Sequence, residues 1–150
     1  MSFLMTHADR ASELHDQGFN CAQAVFAAFS DETGIDYETA LKLSAPFGGG
    51  MGRLREVCGA LTGAFMVMGA VCGNTDPKDP AKKAAHYDLI HDMGEEFREK
   101  YNTFICRDLL WPEGAPDPLP VHLMPEKRPC AELIRYAAEM VGRRLHEIKE

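Results

Sequence analysis

The stretch VCGALTGAFMVMGAVCGNT, residues 57–75, carries no charged side chain and holds four glycines, Gly59, Gly63, Gly69 and Gly73. It is too short and too rich in glycine to read as a membrane span, which needs about 20 mostly apolar residues. It reads instead as a central helix buried on all sides. Each helical glycine costs about 1 kcal/mol against alanine, so four of them predict that neighbouring backbones approach closely.

Helical periodicity continues on both sides, and no stretch alternates apolar and polar residues as a half-buried strand does. Upstream, a helix is expected over about Thr6 to Gln17, stopped by Gly18. A second begins at Asn20, with Gln23 as its capping-box partner. Its apolar stripe is Cys21, Ala24, Val25, Ala28 and Phe29, and Gly34 ends it. Asp36 caps a short third helix through about Leu43, which Pro46 closes, and a flexible turn, Gly48-Gly49-Gly50-Met51-Gly52, leads into the central helix. Downstream, Asp79-Pro80 opens a long helix with the stripe His86, Ile90, Met93, Phe97 and Tyr101. Asn102 reads as the cap of a short helix through Trp111. Six of the nine prolines fall between Pro112 and Pro129, which predicts an irregular connection. The last helix starts at Pro129 with the stripe Cys130, Ile134, Ala137, Val141, Leu145 and Ile148. The expected fold is all-α, one helical bundle around the charge-free, glycine-rich helix, with residues 1–150 forming a single domain.

A chain of 150 residues can bury a core without covalent staples. Its net charge of -7 argues against a broad nucleic-acid surface. No basic stretch followed by an apolar run stands at Met1 to Arg10, so a cytoplasmic location is expected. Disulfide staples are rare in that compartment, and five cysteines therefore point to redox or metal chemistry. The alternative for any one of them is a small buried hydrophobe.

Position separates the five. Cys21 follows a cap residue, Cys130 follows a proline at a helix start, and Cys106 lies just inside a helix opened near Asn102 or Thr103. Cys58 sits early in the central helix. Helix starts present unpaired N–H groups and partial positive charge, which favour thiolate. Arg53 and Arg55 would add to this at Cys58, Arg107 at Cys106 and Arg128 at Cys130. Cys72 lies fourteen residues beyond Cys58, about 21 Å along a helix, too far for a disulfide between them. It is expected to be a buried, inert thiol. No C-x-x-C pair occurs, so any dithiol or cluster is assembled from separate helices.

Several motifs then fall together. Asn20-Cys21-Ala22-Gln23-Ala24-Val25, Gly48-Gly49-Gly50-Met51-Gly52, Cys58-Gly59-Ala60-Leu61-Thr62-Gly63, Cys106-Arg107-Asp108-Leu109-Leu110 and Cys130-Ala131-Glu132-Leu133 resemble the C_GCAxxG_C_C family of redox-active proteins. The resemblance spans about Ala11 to Met140. It implies that Cys21, Cys58, Cys106 and Cys130 are the characteristic cysteines, with Cys72 outside the pattern. It also implies a bacterial or archaeal protein, often encoded near transporters or oxidoreductases, which makes a membrane transporter or an oxidoreductase a candidate partner while leaving the redox partner itself unidentified.

Three functions remain open on these residues. In the first, two of the four thiols cycle between dithiol and disulfide, with Cys58 attacking first because the glycine turn leaves it accessible. In the second, Cys21, Cys58, Cys106 and Cys130 bind zinc or an Fe–S cluster. In the third, the cysteines only pack, and the charge-free helix and eight methionines form a core or a homo-oligomer interface. The Gly48 to Gly52 run reads as a plain turn more readily than as an anion loop. Asp88 and His91 have the spacing of half a di-iron motif but no matching pair. His86 on its apolar stripe reads as a satisfied core histidine.

Overall fold

The structure, a computed structural model, describes residues 5–120 and 122–150. The helices start where local chemistry satisfies their first N–H groups. Thr6 and Asp9 form a capping box for α1 (His7–Asp16), and Asn20 and Gln23 form another for α2 (Cys21–Ala27). The chain then breaks at Ala28 and Phe29, both fully buried, before one turn of helix, α3 (Ser30–Thr33), which Gly34 ends in the left-handed conformation. Asp36 caps α4 (Tyr37–Ser44), and a 3-10 turn at Ala45–Phe47 leads into α5 (Gly48–Met51). That last element is a single turn whose Gly49 and Gly50 have φ of 68° and 65°.

The charge-free stretch forms α6 (Gly59–Cys72), packed mainly on α2 and on α9 (Cys130–Lys149), while α1 lies along α9. Leu61, Val67, Met68, Phe97, Ile134 and Val141 fill the core between them. The long helix α7 (Pro80–Tyr101) follows Asp79, and α8 (Cys106–Leu110) is a short helix behind it. Between α8 and α9, the described residues form no helix or strand, as the prolines predict. The fold is all-α, and among the described residues no helix is long and apolar enough to cross a membrane.

The environment of α6 corrects the expectation that it is buried on all sides. Its first turns are enclosed, and added Cβ atoms at Gly59 and Gly63 would lie 2.9 Å from the Phe47 carbonyl oxygen and 2.8 Å from that of Ala22. Those two glycines therefore permit close helix packing. Gly69 has nothing within 4 Å, and Gly73 meets only the backbone of Gly69. The last turn runs past its neighbours into solvent and takes Cys72 with it. Cys72 is exposed, not buried; its thiol donates to the Met68 carbonyl at 3.2 Å.

The first turns of α7 project in the same way, so its buried side chains are Met93, Gly94 and Phe97 only. His86 is not a satisfied core histidine: it is half-buried, and its Nδ1 makes no hydrogen bond among the described residues. Asp88 and His91 are exposed. Asn102 closes α7 in the left-handed conformation, with φ 69°, instead of opening α8. Ile105 stands at the start of α8 instead, with its N–H donated to the Thr103 hydroxyl at 3.0 Å.

Candidate functional site

Each of the four family-pattern cysteines occupies a helix start. Cys21, Cys106 and Cys130 are the first residues of α2, α8 and α9, and Cys58 is the residue before α6. Two long-range features bring these starts to one place. The first is an antiparallel bridge between Val57 and Ile105. In it the Cys58 N–H donates to the Phe104 carbonyl at 2.8 Å, and the Cys106 N–H donates to the Glu56 carbonyl at 2.5 Å. Cys58 and Cys106 are thus diagonal neighbours on one face of the paired segments, a relation that places residues roughly 7–8 Å apart.

The second feature is the glycine turn. Left-handed φ angles at Gly49, Gly50, Met51, Gly52, Arg53 and Arg55 fold residues 49–55 back on themselves. The Glu56 N–H closes onto the Gly50 carbonyl at 2.9 Å. The turn is therefore a fixed, tightly packed element, not the flexible one expected. It presses Gly50 against Cys106 and aims the buried Arg55 inward, with Arg55 Nη1 3.9 Å from Cys106 Sγ.

All four cysteines line one small cavity of about 50 Å³, together with Arg55 and Leu133. A much larger cleft of about 800 Å³ opens over Cys21 and Cys130. Its walls come from the glycine turn, the α1–α2 junction, and the proline-rich segment, which contributes His122, Met124, Glu126 and Arg128.

The thiols differ sharply in character. Cys21 and Cys130 line the same cleft and the same cavity, and each acts on the ionisation of the other. The neighbouring Cys21 thiol, aided by the Arg128 charge, the N–H at the start of α9 and Arg55, lowers the Cys130 thiol to about 7 against partial burial. The same pairing raises Cys21 well above the usual thiol range, with burial adding to it. Cys58 is 4 % exposed, and burial pushes it up to about 12 despite the α6 N–H groups facing it. Cys106 is raised by burial while Arg55 works against the shift.

The expectation that the glycine turn leaves Cys58 accessible is therefore overturned. The turn and the 57/105 bridge cover it, whereas Cys21, Cys106 and Cys130 are each partly exposed, Cys21 and Cys130 on the large cleft. Arg128 acts on Cys130 and Arg107 on Cys106 as expected, Arg107 also pairing with Glu56 at 2.9 Å, whereas Arg55 serves Cys106 and Cys130 instead of Cys58. Arg55 carries no local signal for this role, because its direction follows from a left-handed backbone at a residue other than glycine. The wall residues His122 and Met124 lie within a segment that the sequence marks only as irregular.

Tetrahedral zinc with Zn–S bonds of 2.3 Å holds its sulfurs about 3.8 Å apart. Among the described residues, the group whose ligand atoms all lie within 4.8 Å of one another is His7, Asp31 and Glu32; no set of three cysteines does so. His7 is hydrogen-bonded to Asp31 at 3.0 Å, Arg10 is ion-paired with Asp31, and Lys149 with Glu32. The four thiols are grouped around a cavity but not drawn up as a mononuclear metal cage.

A family model described as "Putative redox-active protein (C_GCAxxG_C_C)" matches residues 19–144. No curated protein and no solved structure matches the chain.

Proposed function

The chain belongs to the C_GCAxxG_C_C family, and on that premise we propose that it is a thiol–disulfide oxidoreductase whose working pair is Cys130 and Cys21. The observation that carries this reading is the placement of these two thiols together, lining both the large cleft and the small cavity beneath it, with Cys21 as the largest influence lowering Cys130. It supplies a stabilised thiolate and, beside it, a second thiol to resolve the product.

The proposed sequence is short. The Cys130 thiolate attacks one sulfur of a substrate disulfide, and the other sulfur leaves as a thiolate and takes up a proton. Cys21 then gives up its proton and attacks Cys130 Sγ, so that a Cys21–Cys130 disulfide forms and the second substrate thiol departs. Two electrons pass from the dithiol to the substrate, and two substrate thiols result. A second dithiol reverses the exchange and restores the protein. Cys106 and Cys58 lie behind the pair on the same cavity. A four-thiolate metal site has weaker support, because no three of the sulfurs lie within 4.8 Å of one another. The cytoplasm, a reducing compartment, is the proposed location.

Alkylation of the reduced protein with iodoacetamide, mapped by peptide mass at each pH, tests the reading. Cys130 should label first among the four. Its rate should rise about tenfold per pH unit below about 7 and level off above about 8, because only the thiolate reacts. Faster labelling at Cys58 or Cys106, or a fastest thiol still accelerating past about pH 9, would count against the proposed pair.

A further inference from the structure

Charge is distributed unevenly over this acidic chain. Of its nine arginines, six are ion-paired with carboxylates: Arg10, Arg98, Arg107, Arg135, Arg143 and Arg144. Arg53 and Arg128 form no ion pair among the described residues, and both line the cleft over Cys21 and Cys130. Arg55 lies in the floor of the same cleft, whose lining holds a single carboxylate, Glu126. Arg53 Nη1 is also 3.2 Å from His122 Nδ1, which holds that imidazole and guanidinium together on one wall. A chain of net charge -7 thus gathers three guanidinium groups and two imidazoles, His15 and His122, in the lining of the cleft over its reactive thiols.

Such a cleft concentrates anions and raises their encounter rate by roughly 10 to 10³-fold. Planar guanidinium groups match the geometry of carboxylates, which they bind through two parallel hydrogen bonds. Size narrows the choice. At about 800 Å³ the cleft falls in the range of small-molecule sites, roughly 300–1,000 Å³, and a few-atom oxyanion would leave most of it to water. We infer that the oxidant reduced at this site is a small disulfide carrying carboxylates, held by Arg53 and Arg128 with one sulfur over Cys130. Each carboxylate-bearing half leaves as a thiol, and the electrons and protons balance as in the exchange above. The inference rests on the dithiol reading and specifies its substrate class. It also accounts for the proline-rich segment, which carries His122 and Arg128 back over the thiols as one wall of the cleft.

Three disulfides of different charge test this with the full-length reduced protein. They are oxidised glutathione (anionic), 2-hydroxyethyl disulfide (neutral) and cystamine (cationic). Each single-turnover rate of thiol loss is divided by the same disulfide's rate with dithiothreitol, which removes differences in intrinsic reactivity. At low ionic strength the normalised rate should be at least about tenfold higher for oxidised glutathione than for the neutral compound, and lowest for cystamine. The advantage should shrink with salt. In the Arg53→Ala/Arg128→Ala variant the anionic-to-neutral ratio should fall to within about twofold of unity, with the neutral rate as internal control for any change at Cys130. A ratio near unity in the parent protein, or one that the double substitution leaves intact, overturns the inference while the dithiol reading stands. Failure of all three disulfides to oxidise Cys21 and Cys130 overturns both.

Discussion

Cys130→Ser should lower the rate of disulfide reduction at pH 7 by roughly 10³-fold or more, the scale expected when a nucleophile is removed. The reason lies in the asymmetry of the pair. Cys130 is drawn down to about 7 by the neighbouring Cys21 thiol and the Arg128 charge, so about half of it is thiolate at neutral pH. A serine hydroxyl in its place is not ionised there, and the remaining thiols are poor substitutes. Cys21 is raised, and Cys58 at about 12 is almost wholly protonated and buried. Cys21→Ser should behave differently. A hydroxyl remains beside Cys130, so the first attack should slow by no more than about tenfold. Resolution is lost, and a mixed disulfide on Cys130 should accumulate and be visible by intact mass. Full activity in Cys130→Ser together with loss in Cys58→Ser would reverse the roles assigned to these thiols.

Gly50→Ala should be strongly destabilising for a single added methyl group. Its Cβ would fall 2.5 Å from Cys106 Cβ, 2.8 Å from Arg55 Cα and 2.9 Å from the Glu56 nitrogen. Two of those three are backbone atoms, held by the hydrogen bonds that join the turn to the 57/105 bridge, so they cannot swing aside. Overpacking of this kind costs about 1–3 kcal/mol, and φ 65° adds about 1–2 kcal/mol for any residue with a Cβ. For a chain of this length the sum corresponds to a melting temperature lower by on the order of 10 °C. Gly34→Ala is the matched control. Its φ is 75°, but nothing lies within 4 Å of the added Cβ, so only the backbone cost of about 1–2 kcal/mol applies. Equal melting temperatures for the two variants would show that residues 49–55 are not packed as described. Gly50→Ala should also shift Cys106 and Arg55, and with them the pH dependence of Cys130.

Both effects depend on features that the sequence discloses unequally. Helix starts are local events, and they are legible. Asn20 with Gln23, and Asp79 with Pro80, can be read from a few neighbouring residues, and the positions of Cys21 and Cys130 follow from them. Asn102 misleads because the same residue type serves both ends of a helix; here it adopts the left-handed conformation that closes one. Exposure is not local. Cys58 has the same outward signs as Cys130, a helix start with arginines nearby, yet the pairing of residues 57 and 105 covers it. Cys72 keeps the helical phase of the core, but its turn extends beyond the helices that would have buried it. The meeting of four thiols around one cavity is also long-range. It depends on a bridge between segments 48 residues apart and on six left-handed backbone angles. Glycines in the sequence hint at such angles; those at Met51, Arg53 and Arg55 leave no trace in residue type.

The pairing of Cys21 with Cys130 is the centre of the account, and disulfide mapping tests it directly. The reduced protein is oxidised with one equivalent of 2-hydroxyethyl disulfide, free thiols are blocked at low pH, and the digested peptides are identified by mass before and after reduction. The predicted result is a single internal link joining the peptides of Cys21 and Cys130, with Cys58, Cys72 and Cys106 recovered as blocked thiols. Recovery of all five cysteines as blocked thiols, or a first link that leaves out Cys130, would contradict it.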